Sequence, residues 1–215
     1  MDLFGWMDEV KGEDRLGKIG ATPPDKGSAE HPSLEEFGIL FLSGAIDPGS
    51  AQVLCEKIVE INLHRQVDQI QLLINSPGGD WHAGFAIIDM MDWSQVPVYT
   101  TGLGLVASMG LAIFMAGHQG HRVLTPHTAV LSHCFSASGS GTRPELLARR
   151  KQEDWMHSRL VAHYLRHTSL KTEQEIADCL LCEVDTWLTP EEAVSLGVAD
   201  RVQPSRPILS PNQRS

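Results

Sequence analysis

The sequence predicts an α/β domain built around a largely parallel sheet, and three observations carry that prediction. From Phe37 onward, short apolar runs alternate with stripes of helical period, in the order strand, helix, strand, helix, strand, helix. Parallel strands joined by right-handed crossovers are the ordinary outcome of that order. Two glycine-rich segments, 75–79 and 102–108, follow predicted strands, and in open parallel sheets chemistry collects at the strands' carboxyl ends.

The elements follow in order. Residues 1–36, with Pro23, Pro24 and Pro32, several glycines and mixed charge, lack sustained periodicity and read as an atypical, mobile or adaptor-like N-terminal arm. Gly38 to Leu42 is an apolar strand. Asp47-Pro48 then supplies an N-cap with proline at the first helical position, and Leu54, Ile58 and Ile61 form the stripe of a helix ending near Leu63. A strand over Gln69–Ile74 runs into Asn75-Ser-Pro-Gly-Gly79, and a helix with Phe85, Ile88 and Met91 on one face comes next. The strand Gln95–Thr101 leads through a glycine-rich turn to Ser108, after which Met109–Ala116 is an apolar helix stopped by Gly117.

Two short strands, Arg122–Leu124 and Thr128–Leu131, are predicted next, the second delivering Ser132-His133. A small-residue loop over 136–142 leads to a long charged helix from about Pro144 to Arg166, whose Leu147, Trp155, Leu160 and Tyr164 give only a broken stripe. Thr172-x-x-Glu175 and Thr189-Pro-Glu-Glu192 are capping boxes, and Gly197 closes the last helix. Cys179-Leu-Leu-Cys182 reads as part of a helix carrying buried structural thiols. The tail, residues 203–215, has three prolines and is predicted to be disordered.

Composition narrows the function. A chain of 215 residues suits one well-buried domain, and 42% hydrophobic and 20% charged content is that of a globular protein. With 17 basic against 27 acidic residues the net charge is −10, which argues against nucleic acid and anionic membrane as partners. Glycines and Ser108 break the longest apolar stretch, and the acidic start does not resemble a secretory signal, so a cytoplasmic location is expected. Four cysteines fit a reducing compartment. No cluster of histidines and carboxylates has ligand spacing, and neither metal nor cofactor is expected.

Strand, glycine turn, serine, helix is the order around Ser108, and there a hydroxyl gains exposure beside backbone N–H groups that lack helical partners. Two readings fit it: a nucleophile, or an ordinary helix N-cap. A nucleophilic serine needs a base, usually histidine, and an orienting carboxylate. Of ten histidines, His133 follows a strand of the same predicted sheet, whereas His118, His121 and His127 lie in or beside a connection. Asp185 stands just before a capped helix start. The residues alone leave this triad as one arrangement among several.

Asn75 to Gly79, Gly104-Leu-Val-Ala-Ser-Met-Gly110, the His133 strand end and the run from Asp185 to Asp200 resemble the signature segments of the ClpP family of self-compartmentalised serine peptidases, in the same order, over residues 37–202. The resemblance implies a ClpP/crotonase-like fold of repeated β-β-α and βαβ units with a projecting handle, a strand plus a long helix, at about 135–166. It implies Ser108 as nucleophile, His133 as general base and Asp185 as orienting acid. Gly79 and Met109 would supply backbone N–H groups to an oxyanion hole, and Gly78, Gly79 and Phe135 would line the substrate. It also implies a homo-oligomer of two stacked heptameric rings, a tetradecamer, that cleaves unfolded polypeptides with access controlled by a Clp-type AAA+ ATPase.

Two departures stand out. Cys134-Phe135 occupies the place of the family's usual Gln-Pro, and residues 1–36 do not resemble its axial loop and first helix. Two other classes share features with this sequence: a ring subunit without activity, and a crotonase-like acyl-CoA enzyme, which does not require the three triad residues at these places.

Overall fold

The computed structural model describes residues 33–134 and 140–204. Within them Leu34–Phe37 forms a single 3-10 turn, closed by a reciprocal Ser33/Glu36 capping box and by Gly38 in the left-handed region. Seven strands make one sheet: β1 (Ile39–Ser43), β2 (Ile70–Ser76), β3 (Val98–Ala107), β4 (Arg122–Leu124), β5 (Ala129–Ser132), β6 (Thr186–Leu188) and β7 (Arg201–Val202). The helices are α1 (Pro48–His64), α2 (Trp81–Trp93), α3 (Met109–Met115), α4 (Arg143–His167), α5 (Glu173–Cys179) and α6 (Pro190–Ser195).

The order along the main sheet is β1-β2-β3-β4-β7, and every pairing along it is parallel. The predicted crossovers α1, α2 and α3 stand where the periodicity put them. Asp47 caps α1 by accepting from the Ser50 N–H at 2.8 Å, and Pro48 occupies the first turn. All seven residues of α3 are buried, because the helix lies between the sheet, α2 and α4. Ile70, Leu72 and Ile74 of β2 alternate inward and pack with Ile87, Ile113 and Phe114 in the same core. In contrast, α4 buries only Leu160, Val161, His163 and Tyr164, near its C-terminal end; Leu146, Leu147 and Trp155 are exposed.

Two expectations need correction. The segment 102–107 is strand rather than turn: β3 runs to Ala107, pairing with β4 through Gly102 and with β5 from Leu105. The change of neighbour needs extra backbone, so Ile74 faces Gly102 while Ser76 faces Val106, and Gly104 at φ 60 makes the bend. The sheet is largely parallel, as predicted; among the described strands only β6 pairs antiparallel, to β5. This three-residue strand and the two-residue β7 are too short to carry a period. Finally, α5 ends at Cys179, with Leu180 as its cap, so Cys182 lies beyond the helix. The loop start at 135–139 and the tail from 205 lie outside the described residues.

Candidate active site

The site is set by strand register. Along the β3–β5 ladder Ala107 is paired with Leu131, so the residue just after β3, Ser108, emerges beside the end of β5, where His133 follows. Along the antiparallel β5–β6 ladder Ser132 is paired with Thr186, so one further step sets His133 opposite Asp185. Residues 77 and 52 positions apart along the chain thus meet at one edge through hydrogen-bonded ladders. His133 Nδ1 lies 3.7 Å from Asp185 Oδ1, with side-chain exposures of 33% and 59%. That is a close approach of an imidazole to a solvated carboxylate, longer than a hydrogen bond.

Ser108 has φ 54 and ψ −124. A non-glycine residue held there costs on the order of 1–3 kcal/mol and persists only where its surroundings impose it. They do: its N–H donates to Leu131 O at 3.0 Å, and its carbonyl accepts from Leu111 and Ala112, the first turn of α3. The cap reading is half right. Ser108 occupies the N-cap position of α3, but its side chain makes no capping bond. Among the described residues the hydroxyl is in no hydrogen bond at all, so no Ser108–His133 bond is formed either.

The Gly78-Gly79 turn packs against the serine. A Cβ on Gly78 would sit 2.7 Å from Ser108 Cβ and 2.9 Å from Met109 N, and Gly78 adopts φ 90. Both the closeness and the backbone conformation therefore require glycine. Ser76 Oγ fixes this turn, accepting from Gly78 N–H at 3.1 Å and donating to Gly44 O at 2.6 Å. On its outer side Ile46 N–H donates to Gly78 O, and Asp80 N–H donates to Ile46 O. Those bonds skip Gly79. Among the described residues neither the Gly79 nor the Met109 N–H has an acceptor, and both belong to the turn-and-helix-start that surrounds Ser108.

Sequence reasoning singled out Ser108, His133, Asp185, Gly78, Gly79 and Met109, and the structure brings all six segments to one edge; Phe135 lies outside the described residues. It missed Asn75, whose Oδ1 accepts from Leu105 N–H at 3.2 Å and so joins the β2 end to the bent part of β3. The asparagine at the head of its glycine turn was the available signal. The neighbouring Cys134 donates to Leu181 O at 2.9 Å, and burial, with Cys182 adding to it, raises its thiol above the usual range. It is thus a thiol rather than a competing thiolate.

A cleft of about 700 Å³, lined by Asp92, His118, Arg122, Arg166 and His167 among others, opens at the opposite end of β3 and includes none of the six. Among the described residues no group of three histidines, cysteines or carboxylates could hold a metal ion, and no helix is long and apolar enough to cross a membrane.

Comparison with known proteins bears on this site. A sequence family described as Clp protease matches residues 30–206. The ATP-dependent Clp protease proteolytic subunit of Deinococcus radiodurans is 32% identical over 164 residues, covering 76% of this chain and 79% of that protein. Subunit 2 from Rhodococcus jostii is 34% identical, covering 76% and 83%, and subunit 1 from Corynebacterium jeikeium is 32% identical, covering 84% and 94%. The matched span takes in every strand and helix described above, and on this basis the chain belongs to the Clp protease family.

Proposed function

We propose that this chain is a serine endopeptidase in which Ser108, His133 and Asp185 act as nucleophile, general base and orienting acid. The single observation that carries the reading is the meeting, at adjacent strand ends, of a strained serine, a histidine 3.7 Å from a carboxylate, and a glycine turn with N–H groups to spare.

The chemistry follows from the residues. His133 removes the Ser108 hydroxyl proton as Oγ attacks a peptide carbonyl, and the Gly79 and Met109 N–H groups receive the oxygen as it becomes negative. Collapse expels the amine, which takes the proton from His133, and leaves an ester on Ser108. Water, deprotonated by His133, then hydrolyses that ester and frees the serine. Asp185 holds the imidazole in the tautomer that presents its other nitrogen to Ser108. The extended backbone of an unfolded substrate lies along Gly78 and Gly79, where no side chain intervenes.

In the same proposal the subunits assemble as stacked heptameric rings, with α4 and the segment before it at the contact between rings. A Clp-type ATPase delivers unfolded chains. The relatives' names, proteolytic subunits of an ATP-dependent protease, support that part, as do the exposed Leu146, Leu147 and Trp155 on the mostly polar N-terminal half of α4.

A second reading, a ring subunit without activity, is favoured by the unbonded Ser108 hydroxyl and the long His133–Asp185 separation. One experiment separates the two. Ser108→Ala and His133→Ala should each lower hydrolysis of a fluorogenic peptide by at least about a thousandfold, with particle mass unchanged. Hydrolysis that survives either change would overturn the triad.

A further inference from the structure

We propose that Tyr164 is a positioning residue for His133, acting through Ser132. This rests on the reading of His133 as general base.

Tyr164 OH and Ser132 Oγ are 2.9 Å apart, and the two residues are 1% and 0% exposed. Among the described residues each is the other's sole side-chain hydrogen-bond partner. Burial pushes the Tyr164 phenol up to about 12, with its bond to Ser132 opposing the shift, so the pair is two neutral hydroxyls joined by one hydrogen bond, in which one donates and the other accepts. Ser132 is the last residue of β5 and is bonded covalently to His133. Fixing the Ser132 side chain therefore fixes the backbone from which the imidazole projects. The outward side of the base has no comparable tether, since Asp185 is 3.7 Å away and solvated.

The adjacent residue of α4 does the same for the nucleophile. His163 Nε2 donates to Ala112 O at 2.8 Å, and Ala112 N–H donates to Ser108 O. Two consecutive side chains of α4 thus hold the strand that ends at the base and the helix that begins at the serine. The hydrophobic stripe needs only an apolar residue at position 164. A phenol facing a buried serine specifies more than packing, because either hydroxyl alone would be left without a partner.

The test compares Tyr164→Phe, Ser132→Ala and the double variant in the assembled protein, at equal particle mass. Each single change orphans one buried hydroxyl and lowers thermal stability; the double removes both hydroxyls and restores most of it. Positioning predicts a different pattern in kinetics. In all three variants kcat on a fluorogenic peptide falls about tenfold with KM nearly unchanged, and fluorophosphonate labelling of Ser108 slows in parallel. Activity that recovers together with stability in the double variant would show a purely structural pair and overturn the inference. So would kcat unchanged in the single variants. Wild-type hydrolysis that persists in Ser108→Ala would instead remove the triad on which it rests, a distinct outcome.

Discussion

Ser108 is the residue on which the account turns, and its geometry is imposed rather than chosen. A serine at φ 54 exists here because the Leu131 carbonyl takes its N–H while the start of α3 takes its carbonyl. Gly78 completes that arrangement by having no side chain. Gly78→Ala would place a Cβ 2.7 Å from that of Ser108 at φ 90. We expect a loss of about 1–3 kcal/mol in stability and about a hundredfold in kcat/KM, read from thermal melts and peptide hydrolysis. Asp185 should matter less than His133. Its carboxylate is 59% exposed and water competes for the imidazole, so Asp185→Asn should cost about 10- to 100-fold in kcat, well short of His133→Ala. Equal losses for the two variants would show that the carboxylate is closer and drier during turnover than at rest.

Among the elements, α1 and α2 were legible in the sequence because each carries an apolar stripe long enough to show a period, and α3 because an apolar run lies between a glycine-rich segment and Gly117. Ser108 and His133 stood out for another reason, the local signals of the glycines around the one and the strand before the other; the full candidate triad with Asp185 was singled out only by the resemblance of the signature segments to the ClpP family. What the sequence hid are contacts made across it. Strand β6 was invisible because Thr186-Trp-Leu188 is too short to show alternation, and yet its register is what brings Asp185 to His133. The buried polar face of α4 was hidden too, since Tyr164 looks like one more member of a weak stripe and His163 carries no signal of its own until their partners on α3 and β5 are seen.

That face makes a pH prediction. Burial lowers His163 from the usual 6.5 to about 4, its bond to Ala112 O opposing the shift. The Asp92 charge also raises it and Arg166 lowers it, while the His167 ring stands 4.5 Å away and is itself lowered to about 3, mainly by burial. The unfolded chain therefore binds more protons in this range. The stabilising effect of neutral His163 is fully present above about 6.5 and is lost as pH falls towards 4, on the order of 3 kcal/mol. His163→Gln keeps a donor for Ala112 O but does not titrate, so its melting temperature should fall less between pH 7 and 4.5 than that of the wild type.

Strands β4 and β7 are joined by another buried contact. Arg122, 5% exposed, donates from Nε and Nη2 to Asp200 at 3.1 and 2.6 Å, and also to the His167 and Gly197 carbonyls. Arg122→Met would remove the guanidinium from a shielded carboxylate, leaving it only backbone N–H donors such as that of residue 122, and would leave two carbonyls without their donor. About 3–5 kcal/mol of stability should be lost, measurable as a lower urea midpoint. A change below about 1 kcal/mol would mean that water replaces the guanidinium.

At the scale of the whole molecule, the described fold leaves an open edge at Ser108 and a long, half-unpartnered α4. Among the described residues of a single subunit nothing restricts which polypeptides reach that edge. The proposed chamber supplies that restriction, so particle size and activity belong to one argument. Light scattering at micromolar concentration should give the mass of two heptameric rings, about fourteen times the 23.6 kDa subunit, and a monomeric mass would contradict the chamber. The central claim, that Ser108 is an activated nucleophile, has a more direct test. A fluorophosphonate probe incubated with the assembled protein, followed by peptide mass spectrometry, should place one adduct per subunit on Ser108 and none in Ser108→Ala or His133→Ala. An unmodified Ser108 in the fully assembled wild-type particle, or equal labelling of the His133→Ala protein, would contradict it.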